Sequence, residues 1–101
     1  MLYVYANVKV KYGQLGGFSE AMVTVKRVME ANGWRLVGAW TTVIGDLHEV
    51  HDLWEVPDAN AVPTALAAAA EDPDFAKALE QLSAIADREV LSLLTKTSYS
   101  P

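Results

Sequence analysis

The run His48-Glu49-Val50-His51-Asp52 gathers two imidazoles and two carboxylates within five positions. Imidazole changes charge near neutral pH, so it suits general acid or base work and metal ligation. A carboxylate enclosed by apolar side chains has its pKa raised by desolvation and can handle protons in the same range. On a strand, alternation sets His48, Val50 and Asp52 on one face and Glu49, His51 and Leu53 on the other. The two histidines then diverge, and the spacing is not the helical H-E-x-x-H zinc pattern, so no metal centre is expected. His48 and Asp52 share a face, but four residues of strand hold their Cα atoms ~13 Å apart, too far for a direct hydrogen bond. They can instead reach one ligand from opposite ends, which makes His48 and Asp52 the candidate proton-transfer pair. The structural alternative has Asp52 satisfied by a neighbouring Arg or Tyr and His48 simply flanking a turn.

Trp34, Trp40 and Trp54 fall on even positions, in phase with His48 and Asp52. They form either the aromatic walls of a pocket for a flat ligand or ordinary packing core. Trp40 and Trp54 flank the segment that carries His48 and are the pocket candidates. Gly13, Gly16 and Gly17 lack the Lys-Ser/Thr of a phosphate loop, and no serine sits on a nucleophile elbow. With no cysteine, disulfides, thiolate metal sites and a cysteine nucleophile are excluded. No bound cofactor is expected. The net charge is −5 and no basic run occurs, which disfavours nucleic acid and anionic membrane surfaces as partners. No apolar stretch approaches the ~20 residues of a membrane span. Met1 to Tyr5 lacks the pattern of a signal peptide, so a cytoplasmic location is expected.

The elements that must position these groups follow from periodicity. Leu2 to Lys11 alternates, with Leu2, Val4, Ala6, Val8 and Val10 apolar and the odd positions larger and more polar, which predicts a strand. Phe18 to Ala31 carries a helical stripe of Phe18, Met22, Val25 and Met29, and Gly33 supplies the left-handed position after it. Trp34 to Thr42 and His48 to Val56 read as two strands of a hairpin around Gly45-Asp46. Asn60 to Glu71 is an alanine-rich helix with Pro63 in its first turn. Asp72-Pro73 opens a further helix whose stripe is Phe75, Leu79, Leu82 and Ile85. Glu89 to Lys96 is the last strand. The order predicts one α+β domain over residues 1–101, a ferredoxin-like β-α-β-β-α-β unit with a four-stranded antiparallel sheet. Helices cover one face of such a sheet. The other face also carries large apolar residues, so a second copy packed by two-fold symmetry is the expected partner.

Several segments resemble the NIPSNAP family. Gly33-Trp34-Arg35-Leu36-Val37-Gly38-Ala39-Trp40-Thr41-Thr42-Val43-Ile44-Gly45 is similar to its second strand and turn, and Leu53-Trp54 to its third strand. Asp72-Pro73 before an aromatic, the tail Thr97-Ser98-Tyr99-Ser100-Pro101, and Leu2-Tyr3 with Gly13 and Phe18 behind it add to the likeness. The resemblance implies a dimeric α/β barrel, a superfamily that includes cofactor-independent monooxygenases, muconolactone-type isomerases, polyketide cyclases and stress-response barrels. The chain departs from the family pattern at Val4, Ala6 and Val8, where the family tends to have Glu, Arg and Tyr. It departs again at His48 and Asp52, where the family tends to have Asn and His. By its residues alone the row Val4, Ala6, Val8 can face either the helices or the barrel. The resemblance places it in the barrel, with Val4, Ala6, Val8, Trp40, Val50 and Trp54 lining a pocket for a small apolar ligand. The expected function is then binding of an apolar or cyclic molecule, with His48 and Asp52 moving protons in an isomerisation, a cyclisation or a cofactor-independent oxygenation. A non-catalytic binding protein and a protein-interaction module are the alternatives.

Overall fold

The alternating first segment becomes a central strand of the sheet. In the structure, a computed structural model that describes residues 1–101, β1 (Leu2–Val10) buries Val4, Ala6, Val8 and Val10 and leaves Tyr3, Tyr5, Asn7 and Lys9 half-buried. The remaining elements are α1 (Leu15–Ala31), β2 (Arg35–Thr41), β3 (Glu49–Val56), α2 (Ala61–Ala69), α3 (Pro73–Ile85) and β4 (Ala86–Leu94). The sheet order is β2-β3-β1-β4, and every neighbouring pair is antiparallel. This is the ferredoxin-like arrangement the element order predicts, with the second helical stretch divided into α2 and α3. Principal extents of 39 × 36 × 17 Å describe a slab of one sheet and one helical layer. No helix is long and apolar enough to cross a membrane.

Local chemistry sets the ends. Asp72 caps α3, accepting from the backbone N–H groups of Asp74 (2.8 Å) and Phe75 (3.4 Å), and Pro73 follows where a missing N–H costs nothing. α1 ends at Ala31, and Gly33 two residues on takes a φ of +94° that a side chain would strain. α1 begins three residues earlier than the apolar stripe suggests, because Gly16 and Gly17 sit in its first turn, where few intrahelical bonds depend on them. α3 runs without a linker into β4, so β4 starts at Ala86 rather than Glu89.

The core settles which face is which. Val4, Trp54 and Val56 of the sheet pack with Ala21, Val25 and Met29 of α1 and with Phe75 and Ala78 of α3. Val8, Val10 and Val50 pack with Phe18. The even row of β1 therefore lies under the helices, the reverse of the face the resemblance implies. The reason is physical: Val, Ala and Val need no hydrogen bonds and make a smooth floor for two helices, whereas the Tyr, Asn and Lys of the odd row do need partners.

The odd row finds those partners on the open face. His51 Nδ1 meets the Tyr5 hydroxyl and the Asn7 amide (3.3 Å), and its Nε2 lies 2.9 Å from Thr42 Oγ1. With the Asn7 oxygen accepting from Arg88 (3.2 Å), its amide nitrogen donates to Nδ1, and the ring proton sits on Nε2 facing Thr42. Glu55 accepts from Tyr3 (3.4 Å) and Arg35 (3.2 Å), and Arg88 also pairs with Glu49.

β2 departs from simple alternation. Leu36 pairs with Trp54, but Gly38 already pairs with Leu53, so Val37 is the extra residue of a β-bulge. Beyond it the phase inverts. Ala39 joins Asp52 on the helix side, while Trp40 pairs with His51 and lies on the open face. The three tryptophans thus do not share a face. Trp34 and Trp54 meet edge to face under the helices, with centroids 5.7 Å apart, and the Trp34 indole N–H donates to the Ala61 carbonyl at 3.0 Å. Trp40 overlies Gly38, where an added Cβ would stand 2.5 Å from the indole ring.

Candidate functional site

Between the sheet and α1 and α3 lies a cavity of about 500 Å³ within a single chain. Its floor is Ala6 and Val8 of β1 with Asp52 and Trp54 of β3. Phe18 and Met22 of α1 form one wall, and Leu79, Leu82 and Ser83 of α3 the other. Asp87 and Glu89, both exposed, stand on β4 along the open side. A second hollow of about 360 Å³ runs between α1 and the β2–β3 hairpin, bordered by Leu36, Ala39, Trp40 and Val50, with Lys26 of α1 at its edge. Asp52, Phe18 and Met22 border both spaces.

Asp52 is the one charged residue of the core, with 3 % of its surface exposed. Its partner positions explain the burial: Asp52 is paired with Ala6 on one side and Ala39 on the other, so small methyl groups flank it. No side chain or backbone group of the chain donates a hydrogen bond to its carboxyl. Burial, assisted by the charge of Glu89 and opposed by His51, pushes its pKa up to about 6. The carboxyl is mostly ionised at neutral pH, yet its conjugate acid is readily formed, which is the property required of a general base that later returns the proton.

His48 is placed differently from Asp52. It precedes β3 and adopts a left-handed backbone conformation, φ +65°, so strand alternation does not fix its direction. Its carbonyl accepts from the Val10 N–H at 2.8 Å, its ring packs edge-on against Tyr12, and its Nδ1 is buried without a partner. His48 borders neither hollow, so the structure does not bring the expected His48–Asp52 pair to one ligand. Among the expected lining residues, Ala6, Val8 and Trp54 border the larger space and Trp40 and Val50 the smaller, while Val4 borders neither. These spaces lie within one chain, beneath the helices, and not between paired sheets. No group of three or more His, Cys, Asp or Glu residues is positioned to hold a metal ion.

Sequence reasoning did not single out Glu89, Ser83, Phe18 or Met22 as site residues. For Phe18 and Met22 the signal was present in the apolar stripe of α1, which reads equally as core. For Glu89 it was the alternation of the last strand, which sets Glu89 and Leu91 on the helix side through their pairing with Val8 and Ala6.

The family model for NIPSNAP matches residues 5–101. Among solved structures, an uncharacterized NIPSNAP domain protein from Burkholderia xenovorans superposes with a TM-score of 0.84 at 19 % identity, covering 100 % of this chain and 99 % of that one. A NIPSNAP family protein from Agrobacterium tumefaciens gives 0.84 at 19 % identity, with 100 % and 98 % covered. A protein described as an antibiotic biosynthesis monooxygenase gives 0.69 at 13 % identity, with 96 % and 99 % covered. Curated protein sequences give no match. Identities this low speak for a shared fold, and the family model, spanning nearly the whole chain, speaks for membership: the chain belongs to the NIPSNAP family.

Proposed function

We propose that this chain binds a small apolar or cyclic molecule in the space between its sheet and helices, and that Asp52 moves a proton on that molecule. The carrying observation is a carboxylate almost fully buried, unanswered by any donor of the chain, and bordering an apolar cavity of about 500 Å³. That volume falls within the usual range for small-molecule sites. The reaction class is a cofactor-independent isomerisation, cyclisation or oxygenation. The likeness to a protein described as an antibiotic biosynthesis monooxygenase supports this reading. Asp52 acts as the base, and the apolar walls position the reacting atom and keep water away from it. The working unit in this proposal is a homodimer formed through the open sheet faces. Trp40, Val90 and Leu94 support it, standing 56 %, 44 % and 43 % exposed on the face that no helix covers.

Non-catalytic binding is the second reading. It is favoured by the placement of His48 outside both hollows, which leaves the cavity floor with a single proton-handling group.

Native mass spectrometry of the purified protein tests the proposal. A dimer carrying a small molecule is expected, and that molecule, once identified, is supplied as substrate. Asp52→Asn is expected to retain the molecule and to lose conversion by about 10²-fold or more. Conversion by the variant at the unaltered rate removes Asp52 from the chemistry. Retention without conversion by the unaltered protein selects the non-catalytic reading.

A further inference from the structure

The charges around the cavity restrict what it can hold. Asp52 is on its floor, and Asp87 and Glu89 are along its open side. The field of Glu89 reaches the floor, since its charge raises the pKa of Asp52. No free cation answers them. Arg88 borders the cavity, but its guanidinium turns to the open face of the sheet, bound to Asn7 (3.2 Å) and Glu49. Lys26 borders only the second hollow and pairs there with Glu30 at 3.7 Å. The Ser83 hydroxyl already donates to the Glu80 carbonyl at 2.7 Å.

The geometry points to a specificity rule, which rests on the binding reading above: the cavity selects an uncharged ring compound presenting an N–H or O–H to Asp52, and it disfavours carboxylates, phosphates and thioesters of phosphorylated carriers. An uncharged donor gives Asp52 the hydrogen bond that the chain withholds. An anion placed there meets like charge on the floor and at the rim, in a space too apolar to screen it. Substrate selection thus follows from a missing cation as much as from shape. The residue that enforces it is Asp52, with Glu89 as an outer contribution.

Competition against a fluorescent reporter tests the rule. N-phenyl-1-naphthylamine, apolar and uncharged, serves as the reporter, with 1-naphthol and 1-naphthoate as competitors that share a ring and differ in charge. At neutral pH, 1-naphthol is expected to displace the reporter at a concentration on the order of 10-fold lower than 1-naphthoate, the limit set by protonation of Asp52, whose pKa of about 6 lies one unit below that pH. Asp52→Asn is expected to remove most of that difference. Glu89→Gln, at an exposed strand position with little effect on folding, is expected to narrow it by a smaller factor. If 1-naphthoate displaces the reporter as well as 1-naphthol does, the rule is overturned while the binding site stands. A difference that survives unchanged in both variants overturns the rule in the same way. Reporter fluorescence that is absent, or unaltered when the cavity is filled by Ala6→Phe, overturns the binding reading and the rule with it.

Discussion

Replacing Asp52 by asparagine is expected to make the folded protein more stable at neutral pH. The carboxyl binds its proton more tightly in the folded chain, about 6 against 3.8 for the free group. Between those values the native state holds more protons than the unfolded one, so the contribution of Asp52 to stability falls as pH rises. At 1.36 kcal/mol per pH unit that shift bounds the cost of the ionised form at about 3 kcal/mol, and because the carboxyl borders an open cavity, solvent screening reduces the cost above pH 6 to about 1–2 kcal/mol. Asparagine keeps the shape and stays uncharged. It resembles the protonated acid at every pH, so that cost disappears in the variant. The unaltered protein and Asp52→Asn should therefore be about equally stable near pH 4 and diverge between pH 4 and 7, the variant reaching about 1–2 kcal/mol greater stability. Urea unfolding at a fixed protein concentration, followed by tryptophan fluorescence, measures this, because Trp34 and Trp54 are both buried. An unaltered protein that gains on the variant as pH rises would refute the reasoning, for it would mean that a donor or cation answers Asp52 in solution.

Three further outcomes follow from particular contacts. Trp34→Phe keeps most of the buried ring but removes the N–H bonded to the Ala61 carbonyl, so a loss of about 1 kcal/mol is expected in the same unfolding assay. Asp72→Ala removes the acceptor for two backbone N–H groups at the start of α3 and should cost about 1 kcal/mol, visible as a lower urea midpoint with an unchanged slope. Trp40→Glu sets a charge at a position 56 % exposed on the open face, so the chain should fold with its stability altered by less than about 1 kcal/mol, and under the proposed pairing through that face sedimentation should report a dimer for the unaltered protein and a monomer for the variant.

What the sequence made legible was local backbone chemistry. The period-two row of β1, the left-handed Gly33, the Asp72-Pro73 start of α3 and the first-turn Pro63 each depend on a few neighbouring residues, and each is found where the pattern puts it. What stayed hidden depended on partners distant in the chain. The bulge at Val37 arises from how β2 lies against β3, and its one local sign is Gly38, an isolated glycine inside a strand pattern. That single extra residue put Trp40 in phase with His51 rather than with Asp52, although both Trp40 and Asp52 border the second hollow. The turn before β3 took His48 out of strand phase, its only sign being a residue type that tolerates the left-handed region better than most. The facing of β1 was open on the residues alone. The all-apolar row of Val4, Ala6 and Val8 nonetheless carried the physical reason for packing under helices.

The two faces of the sheet divide their work in a way that bears on where chemistry sits. On the open face nearly every polar side chain is engaged: His51 has partners at both ring nitrogens, Glu55 accepts from Tyr3 and Arg35, and Arg88 holds Asn7 and Glu49. Such a layer is held in place by its own bonds and has little left over for a substrate. The helix side is the opposite: its buried part is apolar except for one carboxylate that nothing in the chain satisfies, with Glu89 exposed at its rim. A group that costs about 1–2 kcal/mol when ionised takes up an appreciable share of the 5–15 kcal/mol that keeps a typical domain folded. Alanine or leucine at that position would remove the cost and fit the surrounding methyl groups. A side chain that weakens the fold where an apolar one would strengthen it is not accounted for by packing, and it is the feature of this chain on which the proposed proton transfer rests.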